Sequence, residues 1–141
     1  MSSADIYREI ILDYYRNPRN YGKIENPDIS QKDSNPLCGD ELEMNINLKD
    51  NKVSDVKFTG KGCAISQAAS SMLAAEVEGK SIQDARKLIE TMKGLMRGKE
   101  PDASVELGDL EALAGVRKFP VRIKCAALSW NVVEQGLQQW H

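Results

Sequence analysis

Glu41-Leu42-Glu43-Met44-Asn45-Ile46-Asn47-Leu48-Lys49-Asp50-Asn51-Lys52-Val53-Ser54-Asp55-Val56-Lys57-Phe58 is the stretch that decides the fold. Leu42, Met44, Ile46 and Leu48 alternate with Glu41, Glu43, Asn45, Asn47 and Lys49. A period of two puts the apolar set on one face of a strand and the polar set on the other. Asp50-Asn51 is a turn pair, and Ser54, Val56 and Phe58 continue as a second, antiparallel strand. Upstream, Arg19 to Pro36 is polar and turn-rich, with room for a short edge strand around Ile29 to Ser34.

Around this hairpin the periodicity is helical. Ser2 to Arg16 reads as a helix: Ser2 and Asp5 have capping-box spacing, and Ile6, Ile10, Ile11, Tyr14 and Tyr15 fall on one side. Asn17-Pro18 stops it, because the residue before a proline is driven out of helical dihedrals. After Gly60-Lys61-Gly62 an Ala-rich helix is expected over Ala64 to Glu78, closed by Gly79. Ser81 and Asp84 open another, with the stripe Ile82, Ala85, Leu88, Ile89, Met92 and Met96. Gly98 to Gly115 reads as a loop with one helical turn at Leu110 to Ala114. Pro120 precedes a last helix near Lys124 to Trp140, striped by Trp130, Val133, Leu137 and Trp140. Strands first and helices afterwards imply an α+β domain over residues 1–141, a small antiparallel sheet with helices packed on one face.

Composition narrows the chemistry. A chain of 141 residues buries about two-thirds of its unfolded surface, enough for a core without staples. Nineteen basic against twenty-one acidic residues give a net charge of −2, without the basic excess of a nucleic-acid binder. No stretch approaches a membrane span, and Asp13 breaks the apolar run Ile10-Ile11-Leu12 where a secretion signal would need its core. Three cysteines, an odd number, without such a signal imply reduced thiols in the cytoplasm. The one histidine is His141, the last residue, so a Ser-His-Asp triad and a His-rich metal site are both disfavoured. Metal or nucleophile chemistry must come from Cys38, Cys63, Cys125 and carboxylates.

Each cysteine stands at a junction. Cys38 opens the first clear strand, Cys63 lies between the second strand and the Ala-rich helix, and Cys125 lies at or just inside the start of the last helix. A helix packed over the end of a sheet brings such junctions together, and two of the thiols would then lie near helix N-termini, where the macrodipole favours thiolate. Asp40 supplies a fourth ligand: in an extended Cys38-Gly39-Asp40 both side chains share a face. Gly39, Gly60 and Gly62 clear space for close backbone approach. Three thiolates and a carboxylate suit zinc or the iron of a small cluster. Either centre would be anionic, and Lys61, Arg122 and Lys124 are near enough in sequence to offset the charge. Spacing alone leaves a second reading open, in which three scattered thiols are small core hydrophobes.

Taken together, Asn17-Pro18-Arg19-Asn20-Tyr21-Gly22, Cys38-Gly39-Asp40, Gly62-Cys63-Ala64 and a late Cys125 resemble the IscU/NifU N-terminal iron–sulfur assembly scaffolds, over essentially the whole chain. The resemblance implies a three-stranded antiparallel sheet with Cys38, Asp40, Cys63 and Cys125 converging at one end. Two departures place the chain within the family. Typical IscU scaffolds carry a histidine before the third cysteine, where this chain has Lys124, and the stretch between the second and third cysteines is longer here. Gly108-Asp109-Leu110-Glu111-Ala112-Leu113 and Arg122-Ile123-Lys124-Cys125-Ala126 are similar to the SufU branch. That branch implies zinc as cofactor, with a [2Fe–2S] cluster or iron as the alternative. It also implies sulfur taken from a PLP-dependent, SufS-type cysteine desulfurase, and downstream Suf scaffold proteins as further partners. Cys38 is the expected sulfur acceptor. Asn17, Arg19 and Asn20 are candidate partner contacts, although a helix stop and a turn explain the same residues.

Overall fold

A computed structural model, describing residues 3–140, shows why the alternation matters. β1 (Ile29–Asn35), β2 (Asp40–Lys49) and β3 (Lys52–Lys61) form one antiparallel sheet in the order β1-β2-β3. The β2–β3 turn is Asp50-Asn51, and both residues have positive φ (53° and 61°), the turn whose twist matches its flanking strands. Leu42, Met44, Ile46, Val56 and Phe58 are buried on one face, as the period of two requires.

Asn45 departs from that pattern. Alternation places it on the solvent face, yet it is 4% exposed. The segment after the first helix is responsible. Phe58 N–H donates to Asn20 O at 2.9 Å and Gly22 N–H to Phe58 O at 2.8 Å, so the segment lies along the outer edge of β3. It then crosses the polar face, where Ile24 N–H donates to Asn45 Oδ1 and Asp28 N–H to Asn47 Oδ1, both at 3.0 Å.

The helices take the other face, as expected. α1 (Ser3–Arg16), α2 (Ala64–Val77), α3 (Ile82–Met96) and α4 (Pro120–Gln138) are joined by a 3₁₀ helix over Gly108–Lys118. α2 lies along β3 and α4 along β1 and β2; α1 backs α2, and α3 backs α4. Held between sheet and helices, α2 is buried nearly all round, from Ala68 to Ala74 without a break, and its small side chains permit the close approach. Ser81 caps α3, its Oγ accepting the Asp84 N–H at 3.0 Å.

Three expectations are corrected. α4 begins at Pro120 rather than near Lys124, with proline in the first turn, where its missing N–H costs nothing. The single turn expected at Leu110 to Ala114 is an eleven-residue 3₁₀ helix. Trp140, read as core stripe, is 38% exposed, while Trp130 is buried. Ser2, named as a cap, and His141 lie outside the described residues. Among the described residues no helix is long and apolar enough to cross a membrane.

Candidate metal centre

Three junctions meet at one end of the sheet. The β1–β2 hairpin closes with Asn35 opposite Asp40, leaving Pro36-Leu37-Cys38-Gly39 as its tip. Cys38 is therefore in a loop, two residues before β2, and Gly39 turns there with φ +68°. The extended Cys38-Gly39-Asp40 of the sequence argument does not form. Cys38 and Asp40 are neighbours because the loop folds back, not because the strand alternates.

Cys63 is the residue that caps α2: its Sγ accepts the Ser66 N–H at 3.5 Å. Its own N–H donates to Asp40 Oδ1 at 2.9 Å, tying the first residue of β2 to the start of α2. Gly62 makes this approach feasible. Its φ is +148°, and a Cβ there would sit 2.9 Å from the Asp40 Cα and run into the carboxylate. Cys125 comes from α4, but as its sixth residue, beyond the first turn where the helix dipole acts. It is 0% exposed, and burial, then the neighbouring Cys38 and Cys63, push its thiol well above the ordinary range, the opposite of the thiolate expected at a helix start.

The sulfurs of Cys38 and Cys125 stand 2.8 Å apart, unbonded, and Asp40 Oδ2 lies 4.0 Å from Cys63 Sγ. Among the described residues, Cys38, Asp40 and Cys125 form the set of candidate ligand atoms lying within 4.8 Å of one another, with Cys63 beside it. Asp40 is 1% exposed, Cys125 is sealed, and Cys38 and Cys63 are half-buried. Three sulfurs and a buried carboxylate with so few hydrogen-bond donors among them are chemically suited to a cation.

The flanking residues divide. Arg122 lies toward the cluster: Cys125 first, then Cys63 and Cys38, hold its guanidinium above the usual arginine range. Lys61 turns instead to its cross-strand neighbour Glu41, at 3.3 Å, and Lys124 points to solvent. Asn17, Arg19 and Asn20 are engaged within the fold. Asn17 Nδ2 donates to Asp13 Oδ1, and Arg19 pairs with Asp13 at 2.7 Å and stacks on Tyr14. Asn20 Nδ2 donates to Val56 O and to Glu78, at the far end of α2 from Cys63. Sequence reasoning passed over Asn35. The available signal was an Asn-Pro pair three residues before a cysteine, where an asparagine side chain typically turns the backbone.

The NifU-like N-terminal domain matches residues 6–140, nearly the full chain. The chain belongs to that family. Within the NifU-like domains it is 46% identical over 132 residues to the zinc-dependent sulfurtransferase SufU of Bacillus subtilis, spanning 94% of this chain and 89% of that protein. It is 37% identical over 134 residues to the iron–sulfur cluster assembly scaffold protein IscU of Streptococcus pyogenes, spanning 95% and 84%. A crystal structure assigned to an iron–sulfur cluster assembly scaffold protein for the SUF system, from Fervidobacterium islandicum, superposes with a TM-score of 0.88. It shares 38% identity and covers 96% of this chain and 99% of that one. The three-stranded sheet with helices on one face is thus the fold of the NifU-like family, and the likeness runs to its SufU branch.

Proposed function

We propose that this chain is a SufU-type iron–sulfur cluster assembly protein, a zinc-dependent sulfurtransferase that accepts persulfide sulfur from a SufS-type cysteine desulfurase in the cytoplasm. The observation that carries the reading is the inequality of the three thiols. Cys38 sits half-buried on a hairpin tip, Cys63 is half-buried as the cap of α2, and Cys125 is sealed inside α4. Cys38, Asp40, Cys63 and Cys125 would hold the zinc, which when bound keeps thiols ionised without redox chemistry of its own.

Cys38 is the acceptor. Its thiolate attacks the outer sulfur of a persulfide on the desulfurase; a new S–S bond forms on Cys38 as the old one breaks, and the desulfurase cysteine leaves as thiolate. No net electrons move. Cys38 is the ligand carried on a loop, while Asp40 opens a strand, Cys63 caps α2 and Cys125 stands within α4. Arg122 offsets the negative charge left behind.

The test is transfer of ³⁵S from labelled cysteine through the desulfurase, with the labelled residue mapped after alkylation. Label is expected on Cys38 and is lost in Cys38→Ala. Label on Cys125 and never on Cys38 overturns the assignment. A brown protein with iron and acid-labile sulfide after anaerobic purification would replace zinc by a cluster and make the chain an IscU-like scaffold.

A further inference from the structure

The turn that carries Cys38 is held by a residue that is no ligand. Asn35 O accepts the Cys38 N–H at 3.2 Å, and Asn35 Oδ1 accepts the Leu37 N–H at 3.3 Å. Across the sheet Asn35 is the direct partner of Asp40, so the two side chains stand on one face, Cβ atoms about 5 Å apart. Both are buried, Asn35 at 9% exposure and Asp40 at 1%. Among the described residues, Asn35 Nδ2 is the buried side-chain nitrogen or oxygen with no hydrogen-bond partner. Flipping the amide does not repair this, because the Leu37 N–H needs the oxygen where it is.

A buried, unpartnered donor costs free energy and is retained where it meets an acceptor in another state of the protein. Asp40 offers that acceptor. Its Oδ1 is taken by the Cys63 N–H, and its second oxygen has the Cys63 thiol at 4.0 Å. Carboxylates that bind metals are themselves held by hydrogen bonds from neighbouring groups. We infer that Asn35 is a positioning residue for the metal centre: its Oδ1 fixes the Cys38 loop while its Nδ2 donates to Asp40 once the metal is in place. One side chain then sets the spacing between the loop thiol and the carboxylate. The inference rests on the metal-binding reading above.

Asn35→Ser separates the two duties without adding charge, since its hydroxyl keeps an acceptor for the Leu37 N–H and the amide donor is gone; Asn35→Ala removes both. Zinc affinity is read by competition with a chromogenic chelator. The d–d bands of the Co²⁺-loaded protein report ligand geometry. Both variants should bind zinc 10- to 100-fold more weakly than the parent and shift the Co²⁺ bands. Thermal unfolding of metal-free Asn35→Ser should stay close to the parent while that of Asn35→Ala falls, which separates the loop bond from the donor. Parent-like zinc affinity and Co²⁺ bands in Asn35→Ser overturn the inference while leaving the metal centre intact. A parent chain that takes up no zinc or Co²⁺ defeats the metal reading, and this inference with it.

Discussion

At the scale of single residues, the centre depends on atoms that are absent as much as on those present. Asp40 and Cys63 approach only because nothing projects from Gly62, which also holds a backbone conformation hostile to side chains. Gly62→Ala should therefore lose zinc and destabilise the chain by more than about 1 kcal/mol, since both strain and displacement of Asp40 contribute. Equilibrium denaturation together with zinc stoichiometry checks this; a variant with parent stability and one zinc per chain would contradict it. That Cys38, Asp40, Cys63 and Cys125 gather at one end of the sheet was left open by their junction positions and was implied by the family resemblance. The route from Cys38 to Asp40 was not legible, because a positive φ at Gly39 leaves no trace in residue type beyond the glycine itself. Arg122 and Lys61 could not be separated for a similar reason. Lys61 faces Glu41 through strand register, which a sequence does not print.

Among elements, the 3₁₀ helix is the instructive case. Leu107, Leu110, Leu113 and Val116 are buried at a constant spacing of three, the spacing at which side chains eclipse on a 3₁₀ helix. That signal is in the sequence, but a template of three and four reads it as a loop with one turn. The same segment anchors α1, where the Tyr14 hydroxyl donates to Asp109 Oδ2 at 2.7 Å. Burial, and then this bond, push the Tyr14 pKa up to about 12 from the ordinary 10.0. Because the folded value is the higher one, the contribution is complete below the unfolded pKa and is lost as pH rises from about 10 to about 12. Ultraviolet titration should show one late tyrosine, absent in Tyr14→Phe, and that variant should lose about 1 kcal/mol at neutral pH. A parent chain with no late tyrosine would dismiss the link.

On the scale of the molecule, the proposed centre joins the tip of the β1–β2 hairpin, the β3–α2 corner and α4, three parts of the chain more than twenty residues apart. Metal bound there stabilises the whole fold by mass action. Free zinc at a hundred times its dissociation constant contributes about 2.7 kcal/mol, so chelation should lower the calorimetric midpoint by roughly 10 °C. A midpoint indifferent to chelator would mean the ligands are held together without it. The helix–sheet layering was readable from patterning alone, since it follows from which faces are apolar. What covers the opposite face was not, because Asn45 and Asn47 are bound there through backbone N–H groups, which every residue except proline carries.

The strip from Asn20 to Gly22 along β3 has a meaning for the life of the chain among others. A three-stranded sheet ends in two open margins, each a template for pairing with a stranger and the start of aggregation. Here one margin is covered at Phe58 by the Asn20 to Gly22 strip and at Val53 by Gly79 and Lys80. The other belongs to β1, whose Lys32 and Asp33 stand exposed and make it a poor template. Contact with other proteins is thereby channelled away from the sheet margins and toward side-chain surfaces, such as the one around the cysteines.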